Sequence, residues 1–400
     1  MAANATRKKR LEDPRIDRSG LSAPGAYVED HPGMISQTDE SGAVRRYVGG
    51  SACFERTPLG FWGCRDGHAR GMAVVLDPPL PAHLQVEVTS ACNLRCTMCL
   101  VRYRPPVNKL AGAMPPELFH RLVDEVPLRR LTLQGLGEPL LSPYLPEMIA
   151  AAVQKGIRVG FNTNATLLNR KRAEELVASR VDWLHVSLDG ASAGAYEAIR
   201  EGARFDTVVA NLAGLVRAKR AAGSATPWIR VVFVAMRDNV AELPALVELL
   251  GEIGVDELRV QNLSHSFDDT DPAGRYDEIR NFTADQALWT GADQERAAAA
   301  FSEAESKAKN LGVRLRLPNF HDEGGGNCTW PWDAAYITSS GTVQPCCMVM
   351  GDDRISLGSL SEAGFPEIWR GEAYRDFRRR LASAEPPAVC RGCSLYHHTF

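Results

Sequence analysis

Cys92, Cys96 and Cys99 stand in the run Cys92-Asn93-Leu94-Arg95-Cys96-Thr97-Met98-Cys99, a C-x3-C-x2-C spacing. Thiolates are soft ligands, and three on one short loop can face a single metal centre. A structural zinc site wants four donors, usually as two pairs. A three-thiolate loop suits a cubane iron–sulfur cluster with one iron left open to a small molecule. On spacing alone, zinc and packed free thiols remain alternatives. A second set lies far downstream: Cys328 is followed by twelve residues, Gly341, four residues and Cys346, and Cys390-x2-Cys393 completes it. Four thiols make a tetrahedral S4 site, which serves zinc or a fully ligated cluster. Of the ten cysteines in the chain, Cys53, Cys64 and Cys347 are left over. The first two read as buried thiols, since cysteine packs as a small hydrophobe. Cys347 reads as filler, with a substitute ligand or a hydrogen-atom donor as alternatives.

Strands and helices must carry these loops. Leu84-Gln85-Val86-Glu87-Val88 alternates apolar and polar residues just before the first cysteine loop, as a strand does. Further strands are expected at Leu131–Leu133, Ile157–Phe161, Trp183–Leu188, Ile229–Val234 and Glu257–Asn262. Helical stretches lie between them. Met148, Ile149, Ala152 and Val153 precede a Gly156 stop, and Val208, Val209, Leu212, Leu215 and Val216 follow a candidate Asp206 cap. Six strands alternating with helices give a parallel sheet with right-handed crossovers. Such a sheet places its chemistry in the loops after the strands, where the first cysteine loop falls. Beyond about residue 263 the rhythm stops; Ala292–Leu311 reads as an Ala-rich helix, Val313–Leu317 as a short strand, and the last five cysteines follow. Residues 1–80 are rich in Gly, Pro and charge, with short strands expected around Arg46–Val48 and Ala73–Leu76 and a solvated arm at Arg7–Arg10. The expected organisation is 1–80 as an N-terminal extension packed on the barrel, 81–290 as the α/β barrel unit and 291–400 as a C-terminal module.

Composition narrows the class. The 400 residues are 44% hydrophobic and 24% charged, an ordinary globular balance that excludes wholesale disorder, collagen and a coiled coil. A formal net charge of −3 gives no global field for a polyanion, so a nucleic-acid partner is not expected. Apolar runs such as Met72–Leu76 fall far short of the ~20 residues of a membrane helix, and no signal-peptide core is present near Met1. The expectation is a cytoplasmic protein with reduced thiols.

The first cysteine loop, its place after strand one and the βα series behind it resemble the radical S-adenosylmethionine (SAM) superfamily. The resemblance implies a partial (βα)6 TIM-like barrel in which three cysteines hold a [4Fe–4S] cluster and SAM chelates the open iron. One electron then splits the sulfonium into methionine and a 5′-deoxyadenosyl radical, while the protein binds, orients and shields. Met98 occupies the place of a bulky residue beside the adenine. Gln134-Gly135-Leu136-Gly137-Glu138-Pro139 is similar to the glycine–glutamate stretch whose backbone meets the SAM amino group. This marks Gly137 and Glu138. Asn164, in Asn162-Thr163-Asn164-Ala165-Thr166, resembles a polar loop lining the cavity; Ser187 is placed at the ribose and Arg200 at the SAM carboxylate. Tyr103, Arg102 and Arg104, just past the loop, could touch substrate, with exposed loop residues the plainer reading.

The second set resembles the twitch module, the shortened form of the SPASM extension, together with Gly358-Ser359-Leu360, Glu367-Ile368-Trp369-Arg370-Gly371 and Arg378–Leu381. It implies one auxiliary [4Fe–4S] cluster on Cys328, Cys346, Cys390 and Cys393, and so two clusters in all. A fully ligated cluster has no open iron, which suits an electron acceptor. The expected function is hydrogen abstraction followed by net oxidation of a hydroxylated, sugar-like or aminocyclitol small molecule. An external one-electron reductant of flavodoxin or ferredoxin type would supply the clusters. The alternatives are an epimerase with a cysteine hydrogen donor, a peptide-modifying maturase and, most distantly, a non-enzymatic zinc–thiolate protein. Residues 1–80 show no plan of a winged peptide-binding domain, which tilts the expectation to a small molecule. Cys347, directly after Cys346, is expected to point away from the auxiliary site if the segment is extended.

Overall fold

A computed structural model describes residues 73–103, 112–263, 274, 276–288, 291–318, 328–349 and 354–397, and the backbone of 34–38, 44–48, 52–56 and 62–64. The chain divides into two units, Met1–Phe54 and Glu55–Phe400. In the first, β1 (Met34–Thr38) and β2 (Val44–Val48) pair antiparallel, Met34 opposite Val48. Strand β3 (Ala52–Arg56) follows. In the second unit β4 (Trp62–Cys64) pairs antiparallel with β5 (Ala73–Val74). Arg7–Arg10 and the side chains of Cys53 and Cys64 lie outside the described residues.

The second unit is built on six parallel strands: β6 (His83–Val86), β7 (Arg130–Leu133), β8 (Arg158–Thr163), β9 (Trp183–Ser187), β10 (Trp228–Ala235) and β11 (Glu257–Asn262). They neighbour one another in chain order, each paired in parallel with the next. This is the partial TIM-like barrel expected from the alternation of strands and helices. Helix α1 (Leu100–Tyr103) directly follows the first cysteine loop. The crossovers are α2 (Pro116–Glu125), α3 (Leu145–Gln154), α4 (Arg170–Ala178), α5 (Ala193–Ile199), α6 (Phe205–Ala221) and α7 (Leu243–Ile253). Their ends follow local chemistry. Asn169 accepts the Arg172 N–H to start α4, and Gly254 turns left-handed (φ 83°) to end α7. Helix α6 begins one residue earlier than the sequence suggested. Arg204 is its N-cap, and Asp206 lies inside the first turn, where its charge still favours the helix dipole.

Alternate strand positions Leu84, Val86, Leu131, Leu133, Val159, Phe161, Leu184, Val186, Ile229 and Val231 are buried and form the layer under the helices. Helix α8 (Asp277–Gln286) follows. Residues 291–316, grouped by sequence with the C-terminal module, extend the barrel side instead: α9 (Gly291–Leu311) packs on α7, and β12 (Leu315–Arg316) pairs in parallel with β11. The remaining C-terminal residues attach to the opposite edge. After α10 (Trp330–Asp333), β13 (Ala334–Ile337) runs parallel to β6 and continues antiparallel into β14 (Thr342–Gln344) and β15 (Gly358–Ser359). Helices α11 (Phe365–Trp369), α12 (Glu372–Leu381) and α13 (Ala388–Arg391) close the chain. The two edges of one sheet therefore carry β12 and β15.

Residues just before β6 hold this module. Trp332 donates to the Val75 carbonyl (2.7 Å) and Trp369 to that of Pro79 (3.0 Å). Arg378, fully buried, donates to the carbonyls of Leu76, Trp369 and Pro331 and lies over the Trp369 and Tyr374 rings at 4.3 and 4.5 Å. Among the described residues no helix is long and apolar enough to cross a membrane.

Candidate functional site

The first cysteine loop leaves β6 and is knitted to the far side of the barrel. Arg95 N–H donates to the Glu201 carbonyl (3.0 Å) and Thr97 N–H to that of Ile199 (2.9 Å). This brings Arg200 onto the loop: its guanidinium sits 3.7 Å from Cys96 Sγ and 2.5 Å from the Asp189 carboxylate. Asp189 is wholly buried and also accepts the Val234 N–H (2.7 Å), so the arginine is held rigidly. Burial alone would lower the Arg200 pKa; Asp189, with Cys96 and Tyr196, raises it instead.

On the other flank, Glu138 receives Thr163 Oγ1 (2.7 Å), Asn164 N–H (2.7 Å) and Leu140 N–H (3.1 Å). Burial raises its pKa against those three bonds. Its own N–H donates to the Ala91 carbonyl (2.8 Å). Asn164 reaches Asn93 Oδ1 (3.0 Å) and approaches Cys92 Sγ at 4.0 Å. A Cβ on Gly137 would stand 2.2 Å from the Thr89 carbonyl oxygen, so only glycine lets this loop lie against the strand-to-cluster segment. The structure thus gathers Cys92, Cys96, Cys99, Gly137, Glu138, Asn164 and Arg200 at the carboxyl ends of β6–β9. Met98 is buried in the adjoining core and Ser187 ends β9.

Arg102 and Tyr103 secure the loop internally: Arg102 pairs with Glu201 and donates to the Arg95 carbonyl (3.2 Å), and Tyr103 donates to that of Thr97 (2.6 Å). Arg104 lies outside the described residues.

Burial, then Cys96 and Glu138, raises the Cys92 thiol, and burial with Cys96 and Cys92 pushes Cys99 up to about 12. The downstream set behaves alike. Burial and Cys346 raise Cys328 far above the usual range, and burial and Cys393 push Cys346 up to about 12. Backbone N–H groups oppose these shifts: Leu94 at Cys92, Val101 at Cys99, Trp330 at Cys328, and Met348 with Val349 at Cys346. Backbone donors aimed at sulfur are what a cluster's thiolates use. Among the described residues no three Cys, His, Asp or Glu side chains converge on a single ion. Donors of one zinc would crowd within about 4 Å of each other. The residues present fit multi-iron clusters better than one ion.

Cys347 departs from expectation. It lies in a turn, where strand alternation does not apply, and burial followed by Cys346, Cys393 and Cys328 raises its thiol far above the usual range. It faces the auxiliary cysteines. The N–H groups of Met348 and Val349 serve Cys346, which marks Cys346 as the better ligand of the two.

A polar row on the barrel strands was missed from sequence. Asn162, His185, Arg230 and Glu257 stand in register across β8–β11. Arg230 bonds His185 (3.3 Å) and pairs with Glu257 (2.8 Å). The signal was the appearance of polar residues at every second position of otherwise apolar strands.

Two family models match: the radical SAM superfamily over residues 86–225 and the SPASM iron–sulfur cluster-binding domain over 328–394. This is a radical SAM protein with a C-terminal SPASM domain. Its cofactors are SAM and [4Fe–4S] clusters. Among curated relatives, the tungsten-containing aldehyde ferredoxin oxidoreductase cofactor-modifying protein of Pyrococcus furiosus is 27% identical, covering 78% of this chain and 87% of its own. The AdoMet-dependent heme synthase of Nitratidesulfovibrio vulgaris is 28% identical over 77% and 85%. The mycofactocin maturase of Mycobacterium tuberculosis is 27% identical over 79% and 76%. Among solved structures, Streptococcus suis SuiB bound to the precursor peptide SuiA superposes with a TM-score of 0.59 at 17% identity, covering 80% of this chain and 71% of its own. The enzyme anSMEcpe with bound AdoMet gives 0.58 at 18% identity, covering 77% and 81%. At these identities the structural likeness shows the fold.

Proposed function

We propose that this radical SAM enzyme catalyses a net oxidation in the maturation of a cofactor or of a cofactor's peptide precursor. When bound, the first cluster and SAM supply a hydrogen-abstracting radical, and the second cluster supplies an acceptor for the electron left on the substrate. Cys92, Cys96 and Cys99 would hold the first cluster; Cys328, Cys346, Cys390 and Cys393 would hold the second. The SAM molecule would lie against the backbone of Gly137 and Glu138, with Met98 at the adenine, Asn164 and Ser187 along the polar side and Arg200 toward the carboxylate. Asp189 fixes Arg200, and Glu138 fixes Thr163 and Asn164, so both flanks of the pocket are set before anything binds.

The observation that carries the oxidative reading is the downstream thiol set. Four cysteines, Cys328 and Cys346 braced by backbone N–H groups, leave no iron coordination open for substrate. The hydroxylated sugar-like substrate expected from sequence has no support among relatives that align along most of their length. Those relatives are a cofactor-modifying protein, a heme synthase and a mycofactocin maturase, which favours the maturation reading and gives the peptide class a specific basis.

The test is anaerobic turnover of the reconstituted protein in D2O with SAM, reductant and candidate precursors made by neighbouring genes. We expect 5′-deoxyadenosine, and a product poorer in hydrogen that carries no solvent deuterium at the reacting carbon. A product isomeric with its substrate and deuterated there would establish an epimerase and overturn the net oxidation.

A further inference from the structure

The carboxylate of Glu87 is 3% exposed and binds two parts of the chain that have no covalent reason to be together. Its Oε2 accepts the backbone N–H of Leu136 (2.8 Å) and the hydroxyl of Tyr336 (2.9 Å). Its Oε1 accepts the Ser339 hydroxyl (2.9 Å) and the Ser339 N–H (3.3 Å). Leu136 belongs to the loop that the proposed function places against SAM. Tyr336 and Ser339 belong to β13 and the turn after it, and β14, next in the chain, leads directly to Cys346. The Glu87 N–H donates to the Ile337 carbonyl (2.8 Å), so the backbone repeats the tie.

Packing makes the arrangement specific. A Cβ on Gly135 would stand 2.3 Å from Glu87 Cγ, so the loop is pressed onto this side chain with no slack. Two residues on, Gly137 is pressed equally hard against the Thr89 and Ala91 carbonyls. The loop is therefore clamped at two points, one of them shared with the iron–sulfur module.

We propose that Glu87 is a positioning residue through which the C-terminal iron–sulfur module sets the geometry of the SAM-side loop. This rests on the reading that residues 135–138 line SAM. Four donors converge on two carboxylate oxygens, an arrangement an amide cannot reproduce, because its NH2 would meet donors. Glu87→Gln keeps the volume and removes the acceptor. A buried donor so orphaned moves or loses its order.

The experiment is a SAM titration of the anaerobically reconstituted full chain, read by the change SAM induces in the EPR spectrum of the reduced first cluster. Iron content and melting temperature are measured alongside. Glu87→Gln is expected to retain both clusters and weaken SAM binding about ten-fold, the scale of one lost charge-assisted hydrogen bond. The double variant Tyr336→Phe/Ser339→Ala, which alters only the module's side, is expected to weaken SAM binding in the same direction, by about three-fold. An unchanged titration in Glu87→Gln overturns the proposal. So does a weakened Glu87→Gln beside an unchanged double variant, since the module would then have no part in it. Should Glu87→Gln not fold, the double variant alone decides. A wild-type protein whose spectrum ignores SAM would refute the SAM-loop reading beneath, and is distinguishable because it appears before any substitution is made.

Discussion

Arg200 and Asp189 form a buried charge pair, 12% and 0% exposed, beside a cluster thiol. Breaking such a pair from one side leaves an uncompensated charge in the interior, at about 3–5 kcal/mol. Arg200→Met is therefore expected to destabilise the protein by that order. The double variant Asp189→Asn/Arg200→Met should cost distinctly less, and urea unfolding of each variant measures the difference. Cys347 calls for the opposite expectation. Its thiol faces the auxiliary cysteines while the braced sulfur is that of Cys346, so Cys347→Ala should leave product formation largely intact. Lost product with continued 5′-deoxyadenosine release would instead make Cys347 the hydrogen donor of an epimerase. The three cysteines of the first loop were legible from spacing, because ligation by one loop is a local property. The Asp189 support of Arg200 was not, because it joins β9 to the residue after α5 through a fold-dependent contact.

At the scale of elements, the sheet keeps two imidazoles uncharged. Burial, helped by Arg130, pushes His83 of β6 down to about 3; burial, then Arg230, Arg130 and Arg259, pushes His185 of β9 well below its usual range. Unfolded, both would titrate near about 6.5. Below that pH the unfolded chain binds protons that the folded chain refuses. The stability they confer is thus complete above about 6.5 and lost as pH falls toward the folded values, by up to about 1.4 kcal/mol per pH unit per histidine. Urea midpoints from about pH 7.5 down to 5.5 should fall, and His83→Asn should make the fall shallower. A flat profile would show that the rings are protonated in the folded chain. Strand registry has its own test. A Cβ on Gly160 would lie 2.3 Å from the Trp183 ring and 2.4 Å from its carbonyl oxygen, so Gly160→Ala must push β8 from β9. The expected cost is about 1–3 kcal/mol, read as a lowered melting temperature.

For the whole molecule, the expectation is a brown anaerobic preparation with two clusters, about eight irons per chain. Replacing Cys92, Cys96 and Cys99 together by Ala should remove about half the iron and all SAM cleavage. Replacing Cys390 and Cys393 should remove the other half, spare some SAM cleavage and stop net oxidation. Normal turnover in the latter variant would exclude the acceptor role. Arg378 supplies a subtler test. Its guanidinium bridges the segment before β6, α10 and α11, and Arg378→Met orphans three carbonyls near Cys328. Auxiliary iron should fall while iron on the first loop persists.

The sequence by itself determined the local chemistry: two thiol sets, a six-stranded βα series, and the glycines that let loops approach one another. Each depends on spacing within a few residues, and periodicity records that directly. It also suggested a boundary near residue 290 that the sheet does not follow, because α9 and β12 extend the barrel on one edge while β13 extends it on the other. Only the tertiary structure decided that Glu87 joins the loop of Leu136 to the turn of Ser339, that Arg200 is held between Asp189 and Cys96, and that Cys347 turns toward the auxiliary thiols. Those contacts link residues far apart in the chain, and no local pattern encodes them. Their partners are chosen by which strands lie side by side and how tightly the loops between them pack.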